Sequence, residues 1–256
     1  MRSLKRALAA ALLCSALPAV APLGAAAALA AERPSFDGVW QVESTTALTS
    51  RDAMKPLDGG EIPMQPWVKA LFGGNISAEE RDHFAWPPNN QRCLVAGMVR
   101  AMKGNYPWRF IETDEQITLL FEEDGRFLAI PFKEKHDDNI VPTWYGDAIA
   151  RWEGDTLVID VKGFNGKTPF PRAINHTQLL RVVHRFRLIE NGEKLVDEFT
   201  IEDPGAFTRT WTARTMWVKR KPSGYKLRDY RCAENNRDLP PQFDEMTFWQ
   251  ADWGPN

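Results

Sequence analysis

The stretch from Thr177 to Asp203, TQLLRVVHRFRLIENGEKLVDEFTIED, most limits what this chain can fold into. Near its middle stands the pair Asn191-Gly192, which is typical of a tight turn between antiparallel strands because both residues tolerate positive φ. A two-residue turn at this point fixes the partner of every residue on the two strands. The sequence therefore predicts a long β-hairpin in which Glu190 lies opposite Glu193.

The side chains of this hairpin separate onto two faces. The predicted outer pairs are Arg185 with Glu198 and Arg181 with Glu202, and the inner pairs are Leu188 with Leu195, His184 with Phe199 and Val182 with Ile201. Opposite charges outside and apolar pairs inside are what an antiparallel pair with one buried face requires. The inner face also carries His184 and Asp197, which this register makes diagonal neighbours within reach of a hydrogen bond.

The first 30 residues have the composition of a secretory signal peptide. The basic start MRSLKR contains no acid and precedes an Ala/Leu-rich run, and the small residues Ala28 and Ala30 fit a cleavage site. We therefore expect cleavage after Ala30 and a periplasmic or secreted protein. A membrane anchor is the alternative, but Pro18 and Pro22 interrupt the apolar run, so no membrane span is expected once the signal is removed.

The composition of the remaining chain excludes several classes of function. The signal takes three of the 32 basic residues and none of the 34 acidic ones, and no basic stripe remains, so a nucleic-acid partner is not expected. All ten tryptophans follow the signal and predict a large aromatic interior. Cys93 and Cys232 also remain, and in an oxidising compartment a disulfide is favoured over a reactive pair. The sequence contains no metal-binding or nucleotide-binding motif, so no metal and no cofactor are expected.

Residues 31–256 are predicted to form one domain made of short strands. The strands predicted outside the hairpin are residues 36–42, 109–113, 116–122, 126–132, 147–152, 156–164, 207–220 and 225–232. Residues 45–106 are rich in Pro, Gly and Asn, and they are predicted to be an irregular insert or cover with helical patches at 66–72 and 77–80. Residues 233–256 are predicted to be a polar C-terminal tail.

Serial hairpins without alternating helices predict an all-β antiparallel meander. Closure of that meander into a barrel removes its exposed strand edges, and a two-sheet sandwich is the alternative. The motif Gly38-Val39-Trp40 resembles the start of lipocalin barrels, and this resemblance implies that Trp40 plugs the closed end of the barrel. The predicted fold is therefore a lipocalin-like β-barrel with a long irregular insert near the N-terminus.

A second resemblance covers about residues 34–240. It is carried by RWEGDTLVID at 151–160, by Gly163-Phe164-Asn165 and by DPGAFT at 203–208. These motifs resemble a widespread family of secreted bacterial proteins, and the resemblance implies the compartment and the fold. That family has no assigned reaction, so no catalytic role is transferred to any residue.

His184 and Asp197 are the strongest candidates for catalytic residues. A carboxylate beside an imidazole fixes its tautomer and can orient it as a general base, whereas a buried structural pair is the alternative. His176 precedes the same strand with the same parity and is a third candidate, at the barrel rim. At about 3.3 Å per residue it lies too far from His184 for the two to share a metal. The loop triplet His136-Asp137-Asp138 is expected to be solvated.

Four aromatic residues complete the predicted site. Trp144 and Tyr145 lie in a loop near the predicted barrel mouth, and Phe199 and Trp211 lie on inner faces of strands. Because no complete catalytic motif is present, the sequence predicts an extracytoplasmic protein that binds a small apolar or aromatic molecule. Two alternatives stay open, a cofactor-independent lyase, isomerase or hydrolase with a His-Asp base, and an envelope structural or interaction protein.

Overall fold

Nine strands form a single sheet in the part of the chain that the structure describes. A computed structural model describes residues 33–42, 54–73, 95, 97–103, 106–123, 125–168, 170, 174–221 and 224–231. The strands are β1 (Gly38–Val42), β2 (Trp108–Glu112), β3 (Gln116–Phe121), β4 (Phe127–Pro131), β5 (Asp147–Glu153), β6 (Thr156–Lys162), β7 (Arg181–Ile189), β8 (Lys194–Glu202) and β9 (Trp211–Lys219). Among the described residues between β1 and β2 there are two helices, α1 (Pro66–Gly73) and α2 (Met98–Met102).

The strand order shows an antiparallel meander. The order is β4-β3-β2-β1-β9-β8-β7-β6-β5, so β1 joins an N-terminal meander to a C-terminal one by pairing with both β2 and β9. The two end strands approach each other through a bridge between Phe132 and Ala150, where Lys133 N–H donates to the Ala150 carbonyl at 3.1 Å. The sheet is therefore nearly closed into a barrel. This confirms the predicted all-β antiparallel meander. The described strands form one sheet, whereas a sandwich would have two sheets.

The central hairpin has the predicted register. Strands β7 and β8 pair continuously, with Arg185 opposite Glu198 and His184 opposite Phe199. The inner face is buried and the outer face carries ion pairs, because the alternating sequence allows only one of the two faces to leave water. A slip by one residue would place His184 outside, and the observed register excludes it.

The turn of this hairpin is longer than predicted. Asn191 and Gly192 have the expected positive φ, 55° and 84°, and Glu193 N–H donates to the Glu190 carbonyl at 3.1 Å. However, Glu190 also has a positive φ of 50°, so it lies outside the strand. The last residues paired in the ladder are Ile189 and Lys194, although Glu190 and Glu193 share the hydrogen bond of the turn. The Glu193 carbonyl instead accepts the N–H of Lys219 on β9 at 2.9 Å, which draws this end of the turn towards the next strand.

Aromatic rings from strands that are not adjacent in the sheet meet in the interior. Trp108 on β2 meets Trp217 on β9 edge to face, with ring centroids 5.4 Å apart. Phe110 on β2 meets Phe186 on β7 in the same way at 5.5 Å. These four side chains are fully buried. The contacts cross the barrel and confirm the aromatic interior predicted from the tryptophan content.

The start of the barrel shows why Gly38 and Trp40 are needed. Trp40 is fully buried and donates its indole N–H to the Phe36 carbonyl at 3.0 Å. Gly38 has a φ of 148°, and a Cβ there would lie 2.6 Å from Cε of Lys219, whose amine sits 5.4 Å from the Trp40 ring centroid. Glycine allows this close passage. Trp40 is therefore a residue of the core, and the lipocalin resemblance stays a prediction.

Two of the contacts between the described parts of the insert and the barrel involve its helices. At the first, α1 matches the predicted helical patch, and the indole N–H of Trp67 donates to the Gly205 carbonyl at 2.9 Å. At the second, α2 buries all but one of its residues in the core, and Trp217 donates its indole N–H to the Met102 carbonyl at 3.1 Å. Among the described helices, none is long and apolar enough to cross a bilayer. The predicted patch at 77–80, the pair Cys93 and Cys232, the signal and the tail lie outside the described residues.

The predicted strand at residues 225–232 is wrong for the residues that are described there. Residues 225–229 are irregular, and Tyr230 makes a single bridge to Glu123. Both edges of β9 are already occupied by β8 and β1, so the last segment finds no free strand edge there. It is held instead by the Glu122 carboxylate, which accepts from the Tyr225 hydroxyl at 3.1 Å and from Arg228 N–H at 2.8 Å.

Candidate functional site

His184 and Asp197 form a buried hydrogen-bonded pair inside the barrel. His184 Nδ1 lies 2.7 Å from Asp197 Oδ2, and the two side chains are 1% and 0% exposed. Asp197 pairs directly with Phe186, so the contact to His184 is the diagonal one predicted from the hairpin register. The second carboxylate oxygen, Oδ1, accepts the backbone N–H of Arg185 at 3.2 Å. The aspartate is thus held at both oxygens.

The other ring nitrogen of His184 is buried and finds no partner among the residues that the structure describes. The imidazole contacts two phenyl rings, with centroids 5.5 Å from Phe186 and 5.8 Å from Phe199. No hydrogen-bond partner for Nε2 is present in the described part of the chain. When Nδ1–H donates to a carboxylate, Nε2 carries the lone pair and acts as acceptor or base. The pair therefore presents a fixed acceptor to an apolar interior.

Lys103 is a third polar residue in this region, and the sequence analysis missed it. It follows α2 directly, and only 4% of it is exposed. Its amine lies 3.6 Å from the Phe199 ring centroid, lies 5.5 Å from that of Trp217, and donates a hydrogen bond to the Thr215 hydroxyl. Burial lowers the pKa of Lys103 to about 7, while the negative charge of Asp197 acts in the opposite direction.

Three neighbouring strands and one helix assemble these groups. His184 comes from β7 and Asp197 from β8, and Thr215 on β9 is directly opposite Asp197. Lys103 enters from the end of α2. We call His184, Asp197, Thr215 and Lys103 the interior polar cluster. Surrounded by aromatic side chains, such groups interact more strongly than they do in water, and each unmet hydrogen bond costs more.

The structure places His176 apart from this cluster. Strand β7 begins at Arg181, so the parity that predicts an inward His176 at the barrel rim does not extend to it. Its Nδ1 donates to the Thr177 carbonyl at 2.9 Å, and its Nε2 accepts from the Thr168 hydroxyl at 3.3 Å. Its ring packs on Phe170, and burial lowers the pKa of His176. With both nitrogens occupied, this side chain has a structural environment.

The four predicted aromatic residues lie in different environments. Phe199 is the one in ring contact with His184. Trp211 is buried and meets Phe207 edge to face at 5.4 Å, near the end of the barrel where β8 turns into β9. Tyr145 is half-buried and stacks on Phe121 at 6.0 Å, and Trp144 is half-buried beside it. Whether Trp144, Tyr145 and Trp211 contact a ligand stays a prediction.

The expectation that the His136 triplet is solvated is wrong for His136 itself. Its side chain is 7% exposed, with Nδ1 2.5 Å from Asp147 Oδ2 and Nε2 3.6 Å from Asp160 Oδ1. The loop is folded against β5 and β6, which covers the ring. Burial opposes ionisation of Asp160, but the hydrogen bonds and charge of Arg181 outweigh it and lower the pKa of Asp160. No group of three or more potential metal ligands occurs among the described residues.

Comparison with known proteins gave no match, either to a family model or to a curated protein. The motif at residues 151–160 lies in the hairpin of β5 and β6, with Trp152 opposite Leu157. The family resemblance of that motif stays a prediction. The interior polar cluster is therefore the feature from which a function can be inferred.

Proposed function

We propose that this protein binds a small apolar or aromatic molecule in the barrel interior, and that the molecule donates a hydrogen bond to His184. The observation that supports this proposal is the buried Nε2 of His184, which has no described protein partner although Asp197 holds the same ring at Nδ1. A buried acceptor without a partner costs about 1–3 kcal/mol, and a ligand O–H or N–H group recovers that cost. The phenyl rings of Phe186 and Phe199 provide apolar surface next to the imidazole.

The proposal also includes the cellular compartment in which the protein acts. The basic and then apolar N-terminal sequence supports a periplasmic or secreted protein, and the resemblance of residues 151–160 to a secreted family supports the same location. A protein in that compartment meets small molecules from outside the cell. A binding or carrier role for such a molecule fits a barrel whose inner face combines aromatic rings with few polar groups.

A matched pair of probes tests the hydrogen bond to His184. 1-Naphthol and naphthalene have the same apolar rings, and only the first has a donor. Because a net hydrogen bond contributes about 0.5–1.5 kcal/mol, we expect 1-naphthol to bind about 3- to 10-fold more tightly. Equilibrium dialysis against the whole protein measures both affinities. Equal affinities for the two probes would contradict the proposal.

A double variant tests whether the preference for naphthol comes from His184. His184→Phe with Asp197→Asn removes the acceptor and also the buried charge that the first change alone would strand. In this variant the ratio of the two affinities is expected to fall to about one. Glu198→Gln is the matched control, because Glu198 lies next to Asp197 on β8 but faces outward to Arg214. A preference that persists in the double variant would place the donor contact elsewhere, and if this variant does not fold, the wild-type ratio still decides.

A second candidate function is a cofactor-independent lyase, isomerase or hydrolase. It is favoured by the 2.7 Å contact through which Asp197 orients His184, since an oriented imidazole is suited to remove a proton. Lys103 adds a buried amine whose charge would favour a developing oxyanion. In this candidate His184 is the base, Asp197 is the positioning residue and Lys103 stabilises negative charge.

A further inference from the structure

We propose that Lys103 holds an acid group of the ligand, so that the molecule bound in the barrel is an apolar or aromatic carboxylic acid. This inference rests on the proposed binding function and names the class of ligand. It assigns the amine of Lys103 to the carboxylate and the Nε2 atom of His184 to a donor on the same molecule. A hydroxylated aromatic acid satisfies both groups.

The partners of Lys103 are all uncharged. Within the described residues its amine donates to the Thr215 hydroxyl and faces the rings of Phe199 and Trp217, without an ion pair to a carboxylate. A lysine that is 4% exposed and has no direct ion pair among the described residues is unusual, because buried cations are normally paired. Ring faces and one hydroxyl compensate only part of the hydration that the ammonium loses. An anion at this position would complete the compensation.

The nearest acid is already committed to other groups. Asp197 influences Lys103 through its charge, but its Oδ2 is bonded to His184 and its Oδ1 accepts the N–H of Arg185. The other titratable residue of the interior polar cluster is His184, which adds no negative charge. Among the described residues of the cluster, the Lys103 amine therefore has no carboxylate bonded to it directly.

The short helix before Lys103 is fixed firmly enough to position the amine. A Cβ at Gly97, where α2 begins, would lie 2.8 Å from the Thr168 hydroxyl oxygen, so the chain passes close to that residue. At the other end, the Met102 carbonyl accepts the indole N–H of Trp217 at 3.1 Å. Lys103 is thus held next to the ring that it faces. A preorganised cation binds an anion with less loss of entropy.

The comparison of 2-naphthoate with 2-naphthamide tests the acid group. These probes have nearly the same shape, and only the first is an anion. At pH 6.5 we expect the wild type to prefer naphthoate by about 10- to 100-fold, as is typical for hydrogen bonds to charged groups. In Lys103→Met the ratio of the two affinities should fall to about one. Lys219→Met is the matched control, since Lys219 also faces a tryptophan ring, that of Trp40, and should keep the wild-type ratio.

Proton uptake gives an independent reading of the same contact. Above pH 7 much of the Lys103 amine is neutral, because burial holds its pKa at about 7. A carboxylate stabilises the charged form, so binding of naphthoate at pH 8 should take up nearly one proton, measured by calorimetry in two buffers of different ionisation enthalpy. Lys103→Met should take up almost none.

The outcomes separate this inference from the proposed function. If 1-naphthol binds as expected but naphthoate binds no better than naphthamide, Lys103 is a structural residue and the inference is wrong while the proposed function stands. Proton uptake that is unchanged in Lys103→Met would also contradict the inference. If none of the naphthyl probes binds the whole protein, the proposed function fails, and this inference fails with it.

Discussion

Replacing Asp197 by alanine is expected to lower the free energy of unfolding by about 1–3 kcal/mol, as is typical when a buried donor loses its acceptor. The carboxylate is 0% exposed and accepts two hydrogen bonds, from His184 Nδ1 and from the backbone N–H of Arg185. Alanine leaves the buried Nδ1–H of His184 without this acceptor and removes one acceptor of the Arg185 N–H. It also removes the negative charge that acts on Lys103.

Chemical denaturation of two neighbouring variants measures this effect. Glu198→Ala changes the next residue on β8, whose carboxylate pairs with Arg214 on the outer face at 2.5 Å with both side chains partly exposed. Such exposed pairs contribute about 0–1 kcal/mol, so this control should be nearly neutral. Asp197→Asn keeps an acceptor and should fall between the two. If Asp197→Ala cost no more than Glu198→Ala, the buried pair would not be a stabilising element of the barrel.

A second large effect concerns His184→Gln and decides between the two candidate functions. If His184 is a general base, this change should slow proton removal from a bound substrate by about 10²- to 10⁴-fold, the usual share of general acid-base catalysis. Glutamine keeps much of the volume and can still bond Asp197, but it cannot titrate. A suitable probe is the exchange of the α-hydrogens of 2-tetralone, an aromatic ketone, in D₂O, followed by proton NMR per folded molecule.

The controls for this experiment come from the same chain. His176→Gln alters a buried histidine whose two nitrogens bond Thr177 and Thr168, and it should leave the exchange rate unchanged. If His184 is a structural residue, His184→Gln should instead lower the free energy of unfolding by about 1–3 kcal/mol without changing the rate per folded molecule. Wild-type exchange no faster than in buffer would remove the catalytic candidate and leave the binding role.

The sequence predicts best the part of the fold that depends on local sequence patterns. Asn191-Gly192 fixes where the chain turns, and the alternation of charged and apolar residues fixes which face is inside, so the register of β7 and β8 follows from sequence. The contact of His184 with Asp197 is a direct consequence of that register. The extra positive φ at Glu190 could not be predicted, because it depends on the bond between Glu193 and β9.

Lys103 could not be found because no periodic pattern links it to the barrel. It lies in an irregular insert, and lysine is usually exposed, so the default expectation is a solvated side chain. The one available signal is the apolar segment from Met98 to Met102 directly before it, which indicates a buried helix, although Arg100 within that segment weakens the pattern. The prediction of a strand at residues 225–232 is wrong for its described residues for a similar reason. Whether that segment pairs depends on which strand edges are already occupied.

The most direct test of the account follows the imidazole nitrogens of His184 by ¹⁵N NMR while the wild-type protein is titrated with 1-naphthol. Comparison with His184→Gln assigns the signals. The account predicts that Nδ1 stays protonated, held by Asp197, and that the resonance of unprotonated Nε2 shifts and saturates at the same naphthol concentration as binding measured by dialysis. Saturable binding of 1-naphthol with no change at Nε2 would show that the ligand lies elsewhere and would contradict the account.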